Sequence, residues 1–402
     1  MTNANPFLSK IKSLAALHGE ETIQNRRHLH AHPELSFQEF ATAEFIKKTL
    51  EASQIPYHSG LGCETGIVAL VEGKNPSKKT IALRADMDAL PIFEKNKVDY
   101  ASQNQGVMHA CGHDVHTASL LTTAKILSAL KNEFEGSVKF IFQPGEEKLP
   151  GGASLMIKDG ILENPNVAHV IGQHVMPQLP VGKIGFRKGL YMASADEIYV
   201  TVKGKGGHAA TPHLNIDPVL IASHIIVSLQ QIVSRSAKPD IPSVLSFGKV
   251  QADGATNVIP DEVKMEGTFR TFNEKWREEA HIKMKKMAEA IAEGMGGTCE
   301  FTILKGYPFL VNDIPFTEKL RSYTAEYMGE ENIVDIDLWM AAEDFAFYSQ
   351  ERPSCFYRLG VRNEEEGIIS SVHTSTFNID EKALEIGAGL MSWLAWKELM
   401  AS

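Results

Sequence analysis

Apolar residues near the start of the chain recur at every third or fourth place. Phe7, Ile11, Leu14 and Leu17 fall on one helical face, and residues 6–50 read as helices. The period then changes. Thr65–Val71, Lys79–Arg84, Ser137–Phe142 and Val167–Gly172 are short runs rich in Val, Ile and Phe, ended by Gly, Pro or Asp, and they read as buried strands. Between two of them, Asp114–Leu130 offers Ala118, Leu121, Ala124, Ile126 and Leu127 for burial and reads as a long helix. Strands alternating with helices predict an α/β domain whose sheet is at least partly parallel.

From about Ala193 the pattern changes again. Glu197–Lys203 alternates like a half-exposed strand, Ile216–Ser234 reads as a helix, Val244–Val250 and Glu262–Phe272 as strands, and Glu274–Gly294 as a highly charged helix. This β-α-β-β-α order suits a small α+β sandwich. After Gly306-Tyr307-Pro308 the α/β character returns, closing on a helix over Asp380–Met400. The economical division is an α/β domain in two parts, 1–192 and 305–402, interrupted by an inserted domain at 193–304.

A chain of 402 residues is too long for one ordinary core, in keeping with two domains. The formal charge of −10 argues against nucleic acid as the main partner, because phosphate binding needs concentrated Lys and Arg. The best apolar stretch, Val219–Val233, is broken by His224 and two glutamines, so no membrane partner is expected. The N-terminus carries no apolar run of signal-peptide length, and the four cysteines follow no disulfide-framework spacing. A reducing, cytoplasmic setting is the expectation.

Candidate chemistry gathers where the predicted strands stop. IALRADMDALP sets Asp86 and Asp88 past one strand end, VKFIFQPGEE sets Glu146 and Glu147 past another, and HVIGQHV does the same for His174. Ligands of open α/β sheets collect at the carboxyl ends of strands, so these groups are aimed at one crevice. MHACGHDVH adds Cys111, His113 and Asp114 around Gly112. Cys, His and carboxylate form the ligand set of zinc and neighbouring divalent ions. Two adjacent glutamates after a buried strand would repel unless a cation holds one and the other stays free to take a proton. That division of labour is what metal-assisted hydrolysis requires.

From RRHLHAHPELSFQE to SVHTSTFNIDE, nearly the whole chain, the motifs RADMDALP, MHACGHD, QPGEE, GQHVMPQLPVG, GKGGHAATPH, NVIPDEV with GTFR, AAEDFAFY and HTSTF follow in order. Their succession resembles the aminoacylase/carboxypeptidase family of dinuclear metallohydrolases, in the branch of hippurate hydrolases, N-acyl-amino-acid amidohydrolases and auxin-conjugate hydrolases. The resemblance implies a mixed-sheet metallopeptidase-like catalytic domain and an inserted ferredoxin-like sandwich that pairs two copies of the chain. It implies two divalent ions (Mn, Zn, Co or Ni) held by Cys111, His113, Glu147, His174 and His373, with Glu146 as general base and then acid. Asp88 would stand beside the metal centre without ligating it. His208 would reach into the partner subunit's site and stabilise the oxyanion, while Asn257 and Arg270 bind a small N-acyl-amino acid, Arg270 gripping its carboxylate. Cleavage of short peptides by the same site, or a non-catalytic binding protein, are the alternatives. Gly145 and Ala341 stand where relatives commonly carry alanine and glycine; the first change reads as harmless, and the second as reshaping the acyl pocket.

Simpler readings compete at several positions. A thiol nucleophile at Cys111 assisted by His113 has poor geometry across one glycine and leaves the glutamate pair unexplained. His28, His30 and His32 lie in a helix-to-Pro33 turn where alternate residues diverge, and read as structural. His116, His213, Glu343 and Asp344 receive no role from the sequence.

Overall fold

The computed structural model describes residues 5–401. The chain divides into two compact units. One comprises Met1–Tyr191, Val311–Leu338 and Asp344–Ser402, and the other Met192–Leu310 with Trp339–Glu343.

In the larger unit, among the described residues, eight strands form one mixed sheet. Their order is 57–61, 66–72, 137–143, 80–86, 167–180, 354–362, 184–186 and 333–335. The pairs that support the site are parallel: Thr80–Asp86 lies between Ser137–Gln143 and Val167–Pro180, and the latter pairs with Ser354–Arg362. Both Thr80–Asp86 and Ser137–Gln143 are buried along their whole length, as strands covered on both faces must be. Helices Pro6–Leu17, Gly19–Ala31, His113–Ala129 and Lys382–Met400 pack on one another, and Leu121, Ile126, Leu390 and Trp393 fill the core between helices and sheet.

His174 departs from expectation. It does not follow a strand end but lies inside a strand running Val167–Pro180, because pairing with Ser354–Arg362 carries the strand past Gly172 and Pro177. The ladder with Thr80–Asp86 has its last pair at Arg84 and Gly172, so beyond that point one edge of the long strand faces the polar crevice.

The smaller unit is an antiparallel sheet in the order 243–251, 262–271, 196–203, 298–305, with helices Pro218–Gln231 and Glu274–Gly294 packed against it. Asp196–Lys203 alternates buried and exposed residues, and its inward Ile198, Val200 and Val202 meet Ile221, Ile225, Leu229, Met284 and Ala288. Thr298–Lys305 is a further strand that the sequence reading left out. It presents Cys299, Phe301 and Ile303 to the same core. The order is thus β-α-β-β-α-β.

Candidate active site and metal centre

Cys111 and His113 are brought to face one point by the glycine between them. Gly112 has φ 87°, caps the helix His113–Ala129, and sits so close to Val175 that a Cβ would meet Val175 Cγ2 at 2.5 Å. Only glycine satisfies both the backbone angle and the space. Ligand-type atoms of Cys111, His113 and His174 lie within 4.8 Å of one another, as do those of Cys111, Glu147 and His373, and those of His113, Glu146 and Glu147. The structure therefore gathers all five expected ligands and Glu146 in one cluster, with Cys111 shared by two of the groups.

The rings are held with one nitrogen turned inward. Asp88 accepts from His113 Nδ1 at 3.1 Å, from the Ser36 hydroxyl at 2.6 Å and from the Glu147 backbone N–H at 3.0 Å. Burial raises the Asp88 carboxyl, but these donors, His113 foremost, outweigh it and leave it below the usual aspartate range. A carboxylate can only accept, so the His113 proton is on Nδ1. Its Nε2 is buried with no hydrogen-bond partner. His174 Nδ1 donates to the Val175 carbonyl at 2.7 Å, which directs Nε2 to within 3.5 Å of Cys111 Sγ. Burial keeps the His174 imidazole neutral, well below its ordinary pKa, as a ligand must be. His373, at φ 60°, is fixed by its backbone N–H to Ala110 O at 2.7 Å, and its Nε2 lies 3.3 Å from Cys111 Sγ and 3.1 Å from Glu147 Oε1.

Such a donor set fits divalent cations. His113 Nε2 makes no hydrogen bond and has Asp86 Oδ2 near it only at 3.7 Å, so an ion beside it would satisfy an otherwise unbonded buried nitrogen. Burial, with the charge of Glu147, pushes the Cys111 thiol up; a nearby cation reverses this and favours the thiolate. The mixture of thiolate, imidazole and carboxylate is borderline in softness and does not single out one divalent metal.

Glu146 is buried and accepts the Asp344 backbone N–H at 3.3 Å. Its loop is pinned by Glu39, a buried carboxyl that accepts from the backbone N–H groups of Gly145 (2.8 Å) and Phe37 (2.8 Å) and from the Thr65 hydroxyl (3.0 Å). Burial, with the charge of Asp88, pushes the Glu39 carboxyl up to about 7. Gly145 corrects the sequence reading. At φ 58° a Cβ there would meet the Phe37 ring at 2.2 Å, so in this chain alanine is not an innocuous alternative.

Two residues left without a role, Asp344 and His116, fall into place beneath the cluster. Asp344 is buried and accepts from Arg84 Nη2 (2.7 Å), Gln143 Nε2 (2.8 Å) and the Ala153 N–H (3.0 Å). His116 and Asp86 are hydrogen-bonded to each other at 2.6 Å. Sequence reasoning placed Asp86 at the crevice but missed Glu39, Arg84 and His116 as parts of the site, because the groups they support lie on distant segments. His30 is structural, as read, with its ring nitrogens on Asp114 (2.8 Å) and Glu94 (3.1 Å).

His208, Asn257 and Arg270 belong to the smaller unit. The short strands Gly207–His208 and Val258–Ile259 pair antiparallel, and the Ala209 N–H donates to Asn257 O at 3.1 Å, so His208 and Asn257 are neighbours. His208 is exposed. Its Nδ1 accepts the Ala210 N–H at 3.0 Å, which assigns the proton to Nε2 and makes the outer edge of the ring a donor. Arg270 is half-buried. It reaches the Thr268 hydroxyl (3.3 Å) and Met340 O (3.4 Å), and no carboxylate among the described residues pairs with it.

The profile of peptidase family M20/M25/M40 matches residues 82–397, nearly four-fifths of the chain. The chain belongs to this family. Among M20 relatives, an N-acyl-L-amino acid amidohydrolase from Geobacillus stearothermophilus is 44% identical over 305 residues, covering 75% of this chain and 81% of the relative. A thermostable carboxypeptidase from Saccharolobus solfataricus is 38% identical over 377 residues, covering 93% and 94%. The crystal structure of a Bacillus subtilis dinuclear metal binding peptidase of the M20 family superposes with a TM-score of 0.81 at 37% identity, covering 96% of this chain and 99% of that one. The mixed-sheet fold expected from the sequence is the M20 fold, and the chain is a metal-dependent amidohydrolase.

Proposed function

We propose that this M20 enzyme hydrolyses the amide bond of small N-acyl-amino acids, giving a carboxylate and a free amino acid. The observation that carries the reading is the clustering of Cys111, His113, Glu147, His174 and His373, with Glu146 beside His113 and Glu147 and the buried Nε2 of His113 making no hydrogen bond. Those five residues would hold two divalent ions, whose chemistry when bound would be to lower the pKa of the attacking water and to polarise the amide carbonyl. Glu146 takes the proton of the attacking water and delivers it to the leaving amine. Asp88 orients His113 and the Glu147 backbone without ligating. His208 donates from Nε2 to the oxygen that gains charge, Asn257 shapes the same edge, and Arg270 holds the substrate's carboxylate in a bidentate fork.

His208 acts in the site of a second copy of the chain. Support for pairing through the smaller unit comes from the outer face of Pro218–Gln231, where Leu220 is 51% and Val227 73% exposed, and from the edge strand Ser243–Gln251. The test is complementation. E146Q and H208A are each expected to be nearly inactive on N-acetyl- and N-benzoyl-amino acids. Unfolded together and refolded, they are expected to recover about a quarter of the wild-type rate, since half the dimers are mixed and each mixed dimer holds one intact site. No recovery, with both variants dimeric, would place His208 in its own chain's site.

The carboxypeptidase relative favours a second reading, in which the acyl group is itself an amino acid or short peptide. The bond cleaved is then still the amide beside a terminal carboxylate. Dipeptides tested beside their N-acetyl counterparts separate the two, because only the former carry a free amino group.

A further inference from the structure

The long strand that carries His174 outruns its neighbour. Its ladder with Thr80–Asp86 has its last pair at Gly172, which leaves the Val175 N–H inside a buried, polar region without a strand to receive it. A side chain takes the place of the strand: His116 Nε2 accepts the Val175 N–H at 2.9 Å. Because a backbone N–H only donates, that nitrogen is bare and the His116 proton is on Nδ1, where Asp86 Oδ1 receives it at 2.6 Å. Arg84 Nη1 meets the other Asp86 oxygen at 2.6 Å. On its far side the Val175 carbonyl accepts from His174 Nδ1 at 2.7 Å. The His116 and His174 rings lie 4.6 Å apart, and His116 and Asp86 are buried.

We propose that His116, locked by Asp86, is the positioning residue for His174: it fixes the backbone at Val175 through its N–H, and the carbonyl of the same residue sets the tautomer and tilt of the ligand ring. Arg84, Asp86, His116 and Val175 make a rigid chain of hydrogen bonds that ends on His174 Nε2 beside Cys111. The same Arg84 also holds Asp344, whose N–H meets Glu146, so one buried guanidinium braces two sides of the cluster. This inference rests on the reading of His174 as a metal ligand.

The experiment uses cobalt-substituted protein, reading ion stoichiometry, affinity and the visible absorption of the cobalt centre. In H116Q the side-chain oxygen reaches the Val175 N–H, and affinity and spectrum are expected to stay close to wild type. In H116L nothing receives that N–H; the spectrum is expected to shift and affinity for one ion to fall by about 10–100-fold. Should H116L not fold, H116N replaces it, because asparagine reaches Asp86 but falls short of Val175. An H116L or H116N protein indistinguishable from H116Q overturns the proposal. H174A is the control: if it binds two cobalt ions with a wild-type spectrum, the ligand reading fails instead.

Discussion

Glu146→Gln is expected to lower kcat by about 10²–10⁴-fold, the range for losing a positioned general base, with little change in KM. The substitution is nearly isosteric. Gln keeps an oxygen for the Asp344 N–H that Glu146 Oε1 now accepts, so the loop and the five donors around it should not move. The loss should therefore appear with metal content and melting temperature unchanged. Steady-state kinetics beside metal analysis check this. A variant within about tenfold of wild type would mean that another group takes the proton.

Arg26→Met is expected to destabilise the enzyme by about 3–5 kcal/mol, the cost of breaking a buried ion pair by removing one partner, with His30 left as the remaining partner of the Asp114 carboxylate. Arg26 is fully buried; its Nε meets Asp114 at 2.8 Å, its Nη2 meets Asn378 at 3.1 Å, and the guanidinium stacks on Tyr100 at 4.9 Å. Asp114 follows His113 directly, so the pair anchors the first turn of the helix that carries the metal loop. Burial raises the Asp114 carboxyl, but Arg26 and then His30 overcome it and hold it well below the usual range. Stability from a depressed carboxyl is present above the unfolded value of about 3.9 and lost as pH falls through the folded one, so wild type should lose this contribution in acid. The Arg26→Met/Asp114→Leu double variant, with neither charge, should regain part of the loss. Denaturant midpoints of the three proteins measure the effect. A loss under about 1 kcal/mol for the single variant would show that Arg26 is not what holds Asp114.

What the sequence made legible was local. The helical periods at both ends, the apolar runs at Thr80–Asp86 and Ser137–Gln143, and the glycine between Cys111 and His113 each declare their structure within a few residues. His174 was placed past a strand end because Gly172 and Pro177 look like terminators, and only the pairing with Ser354–Arg362 shows otherwise. Thr298–Lys305 was overlooked although Cys299, Phe301 and Ile303 alternate, because its charged and threonine positions dilute the pattern. Gly145 looked free to be alanine because its obstacle, Phe37, is over a hundred residues away. Glu39, and the way Arg84 and His116 engage Asp86 and Asp344, were illegible for the same reason. Their meaning lies in contacts between distant segments, which periodicity and motif spacing do not encode. The ligand set came from ordered motifs, and the structure adds which nitrogen of each histidine faces inward.

The most direct test of a dinuclear centre acting on N-acyl-amino acids is a titration of metal-depleted enzyme with manganese, cobalt or zinc while hydrolysis of N-acetyl- and N-benzoyl-amino acids is followed. The account predicts no turnover without metal and a rate that climbs to a plateau as two ions per chain are taken up. Full activity in metal-free protein, or a chain that takes up no metal, would contradict it.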